Sequence, residues 1–233
     1  MNNCRTNFIL LALIISLLAI LNKSSAQTTS DNQLWTGASV RLKLNKKFTI
    51  TLREEIRLGD NMSSRNSTFT EIGVKYKLNK HFSFVPRFRL VNIPLKKNKK
   101  RFSFDAYYSW KKKKSPVSFK YRFRIQDTKK INSKKEANDY LRNKFTIGYN
   151  ATKLVDPFFA YELYFRFDNK NEFRKNRYTF GLDWKLNKKM NLTTYYRIQK
   201  EINVKSPEKL NVIGLSFSYK FSLAKPKTVS KMN

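Results

Sequence analysis

The sequence predicts an all-β protein: a transmembrane antiparallel up-and-down β-barrel of ten to twelve strands, with twelve favoured. Three observations lead there. Polar and apolar residues alternate with period two through most of the chain, one hairpin pattern recurs along it, and the apolar face carries more large side chains than a closed interior could hold. Period two is the spacing of a strand, whose successive side chains leave opposite faces.

The stretch 176–202 shows the unit most plainly. Tyr178, Phe180, Leu182, Trp184 and Leu186 fall on one face, and Arg177, Thr179, Gly181, Asp183 and Lys185 on the other. After a polar turn at 187–190, Leu192, Thr194, Tyr196 and Ile198 alternate with Asn191, Thr193, Tyr195, Arg197 and Gln199. The tetrapeptide Lys-Leu-Asn-Lys closes such a run at 43–46, 77–80 and 185–188, so one supersecondary unit is used at least three times, with weaker copies turning at 111–116 and 151–156.

Eleven segments read as strands: 35–44, 48–58, 69–78, 82–92, 102–110, 117–126, 141–151, 158–167, 176–186, 191–202 and 210–221. Nothing reads as a helix. Connections after odd-numbered segments are short and those after even-numbered ones longer, the asymmetry of an outer-membrane barrel with short periplasmic turns and longer outer loops. Eleven strands would close in parallel, so the polar segment 27–34 is expected to cross as a twelfth strand or to lie inside the lumen. Glu54 on the apolar face and Pro86 inside a strand break the pattern, and a bulge is expected to accommodate each.

Residues 1–26 read as a cleaved signal peptide: Arg5 precedes the apolar run 8–21, and Ser24 and Ala26 precede a cut at Gln27. The single cysteine, Cys4, lies ahead of that run, which leaves the exported chain without a disulfide. The barrel is expected over 27–221 and a disordered tail over 222–233, where the alternation stops at Pro226 and basic residues. With 49 basic against 16 acidic residues, a formal charge of +33, the chain suits polyanionic or phosphate-rich surroundings.

The two faces decide which way the barrel is turned. Phe159, Tyr161, Leu163, Phe165 and Phe167, or Ile213, Leu215, Phe217, Tyr219 and Phe221, form faces that are purely apolar and aromatic. Lipid accepts such an outside and leaves the polar face to a wet interior. The candidate lumen-lining set is Arg53, Glu55, Arg57, Glu71, Arg87, Arg89, Asp105, Lys120, Arg122, Arg124, Arg142, Glu162, Arg166, Arg177, Asp183, Arg197 and Glu201. Aromatics near strand ends, namely Trp35, Tyr76, Phe82, Trp110, Tyr149, Phe158 and Trp184, suit interfacial girdles.

Several chemistries lack their residues. His81 is the one histidine and sits in a short turn, away from any nucleophile at membrane level, so a lipase arrangement is not expected. With no second histidine and no exported cysteine, no metal site or cofactor is expected, and no phosphate-binding glycine loop is present. Alternation as in Tyr121-Arg122-Phe123-Arg124 puts aromatics and arginines on opposite sides of the sheet, where they cannot share a nucleic-acid strand.

Several short motifs carry a family resemblance: Leu34-Trp35-Thr36-Gly37, Tyr140-Leu141-Arg142-Asn143-Lys144, Pro157-Phe158-Phe159-Ala160-Tyr161-Glu162, Asn176-Arg177-Tyr178 and Tyr195-Tyr196-Arg197. Through them the chain resembles an uncharacterised family of outer-membrane β-barrels from Bacteroidota, domain of unknown function family 2490. The resemblance implies fold and location, and brings no catalytic residues.

The expectation is therefore a barrel in the bacterial outer membrane, not an enzyme. Its leading role is a small, porin-like, anion-preferring channel. The alternative is a non-conducting structural or envelope-interaction barrel, with an ion-paired lumen and basic loops contacting lipopolysaccharide. Expected partners are outer-membrane lipid and lipopolysaccharide, the barrel assembly machinery and small anionic solutes, with no nucleic acid.

Overall fold

The computed structural model describes residues 29–113, 115–131, 139–168 and 171–223. Within them the chain forms eleven strands: β1 (Thr29–Lys43), β2 (Phe48–Gly59), β3 (Ser64–Lys77), β4 (Phe82–Asn92), β5 (Lys99–Lys111), β6 (Val117–Lys130), β7 (Tyr140–Tyr149), β8 (Val155–Arg166), β9 (Glu172–Lys185), β10 (Met190–Glu201) and β11 (Glu208–Ser222). Each pairs with its sequence neighbours, and β1 pairs with β11, so the sheet is a closed barrel. The expected signal segment 1–26 lies outside the described residues, as does 224–233 of the expected tail; Ser222 belongs to β11.

The count falls inside the expected range and one short of the favoured twelve. No separate twelfth strand exists among the described residues, because Thr29 to Leu34 are the first part of β1 itself. Ten of the eleven strand contacts are antiparallel; β1 and β11 run parallel over fifteen paired residues, from Thr29 opposite Glu208 to Lys43 opposite Ser222. Both strands therefore end at the same rim as the short turns.

Strands continue into much of what reads as loop. The connections at the far rim are 60–63, 93–98, 131–139, 167–171 and 202–207, against 44–47, 78–81, 112–116, 150–154 and 186–189 at the short-turn rim. Asparagine shapes three of the short turns: Asn45, Asn79 and Asn187 each accept hydrogen bonds from the amides two and three residues on.

The outer face is apolar, as Phe102, Phe145, Phe180 and Ile213 show with about half their surface exposed. No water-soluble fold leaves such a band open, and strands of ten to fifteen residues, tilted, suffice to carry it across the roughly 25 Å of a bilayer's apolar layer. Aromatic pairs such as Phe48 with Tyr76 and Phe82 with Tyr108, both at 5.1 Å between ring centres, lie near the short-turn rim.

Neither irregular residue causes a bulge. Glu54 keeps its alternation and faces outward between Ala38 and Thr70, and the nearest register shift falls at Arg57/Leu58. Pro86 leaves the register between β3 and β4 unchanged; pairing simply lapses between Gly73–Arg87 and Tyr76–Phe84, because proline has no N–H to donate.

Two aromatics expected at the membrane interface point inward instead. Trp35 is 3% exposed and packs with Leu210, Val212 and Tyr195 against the inner side of the seam. The Phe158 ring lies across Gly181, where an added Cβ would stand 2.4 Å from its ζ carbon. Gly214 serves Tyr195 likewise, with a Cβ there 1.9 Å from the ring. Gly214→Ala is expected to destabilise the barrel by about 1–3 kcal/mol through overpacking, and Tyr195→Ala in the same chain should relieve most of that loss. Urea unfolding of the single and double variants measures it; additive losses would mean the two side chains do not meet.

Candidate functional site

Alternation puts one residue in two on the inner wall, and there carboxylates from four strands collect arginines from five. On β2, Glu55 accepts from both neighbours on its own strand, Arg53 and Arg57, the latter at 2.7 Å. On β3, Glu71 accepts from Arg87 at 3.0 Å and from Arg89 at 2.7 Å. Arg87 also reaches Asp105 of β5 at 3.1 Å, and Asp105 takes two further bonds from Arg124, one of them at 2.7 Å, and one from the Tyr107 hydroxyl at 2.9 Å. On β8, Glu162 accepts from Arg142 at 3.0 and 2.7 Å and from Arg122, with Arg177 at 3.6 Å.

Arg122 and Arg124 are both on β6, so the clusters around Asp105 and Glu162 join through that strand. The result is a belt of charge running along the wall from β2 to β9. Across the remaining arc, β10, β11 and β1 present Tyr195, Leu210, Val212 and Trp35. Arginines cap these and other inward rings: Arg57 lies 3.7 Å from the Trp35 ring centre, Arg89 3.6 Å from Phe69 and Arg142 4.2 Å from Tyr164.

Two cavities flank this belt. One of about 480 Å³ opens towards the long-loop rim, and one of about 340 Å³ towards the short turns. Arg122 and Lys144 line both, and so stand where the two meet. Between them the belt is tight, with Asp105 at 0% and Arg124 and Glu162 at 5% exposure.

Of the residues singled out from sequence, Arg53, Glu55, Arg57, Glu71, Arg87, Arg89, Asp105, Arg122, Arg124, Arg142, Glu162 and Arg177 form the belt. Lys120 and Asp183 line the short-turn cavity, where Asp183 accepts from the Thr193 hydroxyl at 2.5 Å. Arg197 lines the other cavity, its Nε 3.1 Å from Thr179 and its guanidinium 4.5 Å from the Tyr195 ring centre. Arg166 and Glu201 sit at the long-loop rim, paired with Asp168 at 2.5 Å and Lys175 at 2.8 Å. Nearby, in the connection before β7, burial and then the Asp127 carboxylate raise the Asp139 carboxyl above its usual range, so its ionisation weakens that rim as pH rises.

Arg101 faces the lumen, although the sequence alternation places it in a loop. β5 begins earlier, at Lys99, and Arg101 continues the inward series of Ser103, Asp105 and Tyr107. Its Nε donates to Thr128 at 3.0 Å, and among the described residues no carboxylate lies within ion-pair distance of it. His81 stays in its turn, 2.9 Å from the Ser109 carbonyl and stacked on Tyr108. Among the described residues no group of three histidine, cysteine or acidic side chains is gathered to hold a metal.

A closed sheet with an apolar outside and an ion-paired inside defines a membrane β-barrel. The chain belongs to the family described as "Protein of unknown function (DUF2490)", which matches residues 32–209. No curated protein matches it. Among solved structures it is similar to the NanC porin, at 11% identity and a TM-score of 0.49 over 76% of this chain and 90% of that one. It is also similar to the KdgM porin, at 19% identity and 0.43 over 72% and 83%. For KdgM in complex with disordered oligogalacturonate the values are 16% and 0.45 over 74% and 91%.

Glu162 is the most shared carboxylate, so Glu162→Gln is expected to cost about 3 kcal/mol or more by leaving Arg122, Arg142 and Arg177 under-compensated in a largely buried belt. Denaturant unfolding in detergent measures it. A loss under about 1 kcal/mol would mean that water already screens these charges.

Proposed function

We propose that this protein is an outer-membrane β-barrel that admits small anions, with the ion-pair belt as its narrow point. The observation that carries this reading is what remains after the belt is matched. Lys120 and Lys144 on the short-turn side, and Arg101, Lys99 and Arg197 on the long-loop side, line the two cavities with no carboxylate at ion-pair distance among the described residues. Cations on low-dielectric walls focus their field on whatever enters, so anions concentrate and cations are repelled.

A second reading has its own support. Asp105 is wholly buried and Arg124 nearly so, which is the packing of a plug rather than of a pore. The barrel would then be a non-conducting structural element, its basic loops held against lipopolysaccharide phosphates.

Purified protein in planar bilayers under a KCl gradient separates the two. The passage requires a reversal potential of anion-selective sign, and Lys120→Glu with Lys144→Glu should weaken or reverse it. A cation-selective wild type would contradict the anion reading, and a barrel that folds but never conducts would favour the plug. Outer-membrane fractionation and a heat-dependent shift in electrophoretic mobility test the location and the closed sheet; recovery in the soluble periplasm would sink both readings.

A further inference from the structure

We infer that the cavity on the long-loop side of the belt is a binding site for a small, multiply charged oxyanion, a phosphate or carboxylate compound carrying several negative charges. The inference deepens the proposed function by resting on its anion-attracting lumen, but it does not require conduction.

The charge balance of the wall is the first support. Eleven basic and three acidic side chains line this cavity. Two of the bases, Arg89 and Lys175, have partners just outside it in Glu71 and Glu201, and crediting both still leaves an excess of six. The cavity on the short-turn side is lined by three bases and two acids, which is close to balance. The excess is thus larger in this chamber than in the other. A cavity of about 480 Å³ with that excess collects anions, and one polyvalent oxyanion replaces several separate counter-ions.

The second support is the state of the donors. Arg101 uses Nε on Thr128, and Arg197 uses Nε on Thr179; among the described residues neither has another hydrogen-bond partner. A guanidinium has five N–H donors, and its terminal pair is spaced to meet two oxygens of one phosphate or carboxylate. Both arginines are half-buried in the cavity wall, so their remaining donors stay open to the oxygens of a ligand. Stacking of Arg197 on Tyr195 and Arg57 on Trp35 holds neighbouring guanidinium planes in place before any ligand arrives.

Trp35 also supplies the readout, because it lines this cavity while Trp110 and Trp184 sit on outward positions of β5 and β9. In full-length protein carrying Trp110→Phe and Trp184→Phe, tripolyphosphate and citrate should perturb Trp35 fluorescence saturably, more weakly as salt rises. Acetate at the same ionic strength should not. Calorimetry on the wild-type barrel should give the same ranking. Arg101→Gln should weaken tripolyphosphate binding about tenfold or more, Arg101→Lys less, and Lys80→Gln in an exposed turn not at all, with the heat-dependent mobility shift confirming that each variant is folded.

No saturable binding, equal binding of acetate, or equal losses from Arg101→Gln and Lys80→Gln would each overturn the site. A barrel that binds tripolyphosphate but never conducts keeps the site and removes the passage; one that conducts anions without binding does the reverse.

Discussion

Closure of the sheet is the constraint on which the rest of this structure depends. Inside a bilayer no water meets an unpaired backbone N–H or C=O, so an open edge is not an option. With eleven strands the last and first must meet in parallel, and β1 and β11 do so over fifteen residue pairs, the longest register in the barrel. The seam also fixes where the strands end: the Leu223 amide donates to the Lys43 carbonyl at 3.0 Å, so both strands finish together at the short-turn rim. On its inner surface Gly214 of β11 leaves room for the Tyr195 ring to lie across from β10.

Turning the apolar face outward forces the polar face inward, and the interior then has to satisfy its own charges. Each carboxylate of the belt is held by two or three bases, which spreads the matching over five or more strands rather than within isolated pairs. That sharing also reinforces the register. A slip of one residue in any strand would move its arginines into lipid and its phenylalanines into the belt, so the hydrophobic pattern and the ion pairs specify the same alignment.

The alternation made most of this legible beforehand. Which residues face inward follows from parity alone, and parity placed Arg87, Asp105 and Arg124 on one side of the sheet without saying that they touch. Contact across strands depends on register, and no local signal reports whether Arg87 lies nearer Glu71 or Asp105; it bonds both. Thr29 to Gln33 gave no strand signal because polar residues alternate with polar residues there; the segment pairs with β11 through its backbone, and Asn32 meets Asn211 at 3.2 Å. Trp35 misled for a related reason. An aromatic near a strand end suits an interface, and only its odd position, shared with Gln33 and Gly37, showed that it points inward. Arg101 is missed because β5 begins three residues earlier than the apolar alternation shows.

The division of labour between the two basic residue types follows from their shapes. Every base in the belt is arginine: Arg53, Arg57, Arg87, Arg89, Arg122, Arg124, Arg142 and Arg177. A planar fork can bond two carboxylates at once, as Arg87 does, or stack on a ring while bonding, as Arg57 and Arg142 do. It is also less strongly hydrated than an ammonium, so burying it in the belt costs less. Lysines occupy the wall on either side, at Lys99 towards one rim and at Lys75, Lys77 and Lys120 towards the other. There a hydrated point charge on a flexible stem can attract an anion without needing a fixed geometry. The lumen is thus rigid where its charges are matched and adaptable where they are not, and Lys144, which lines both cavities beside Arg122, stands on the boundary between the two regimes.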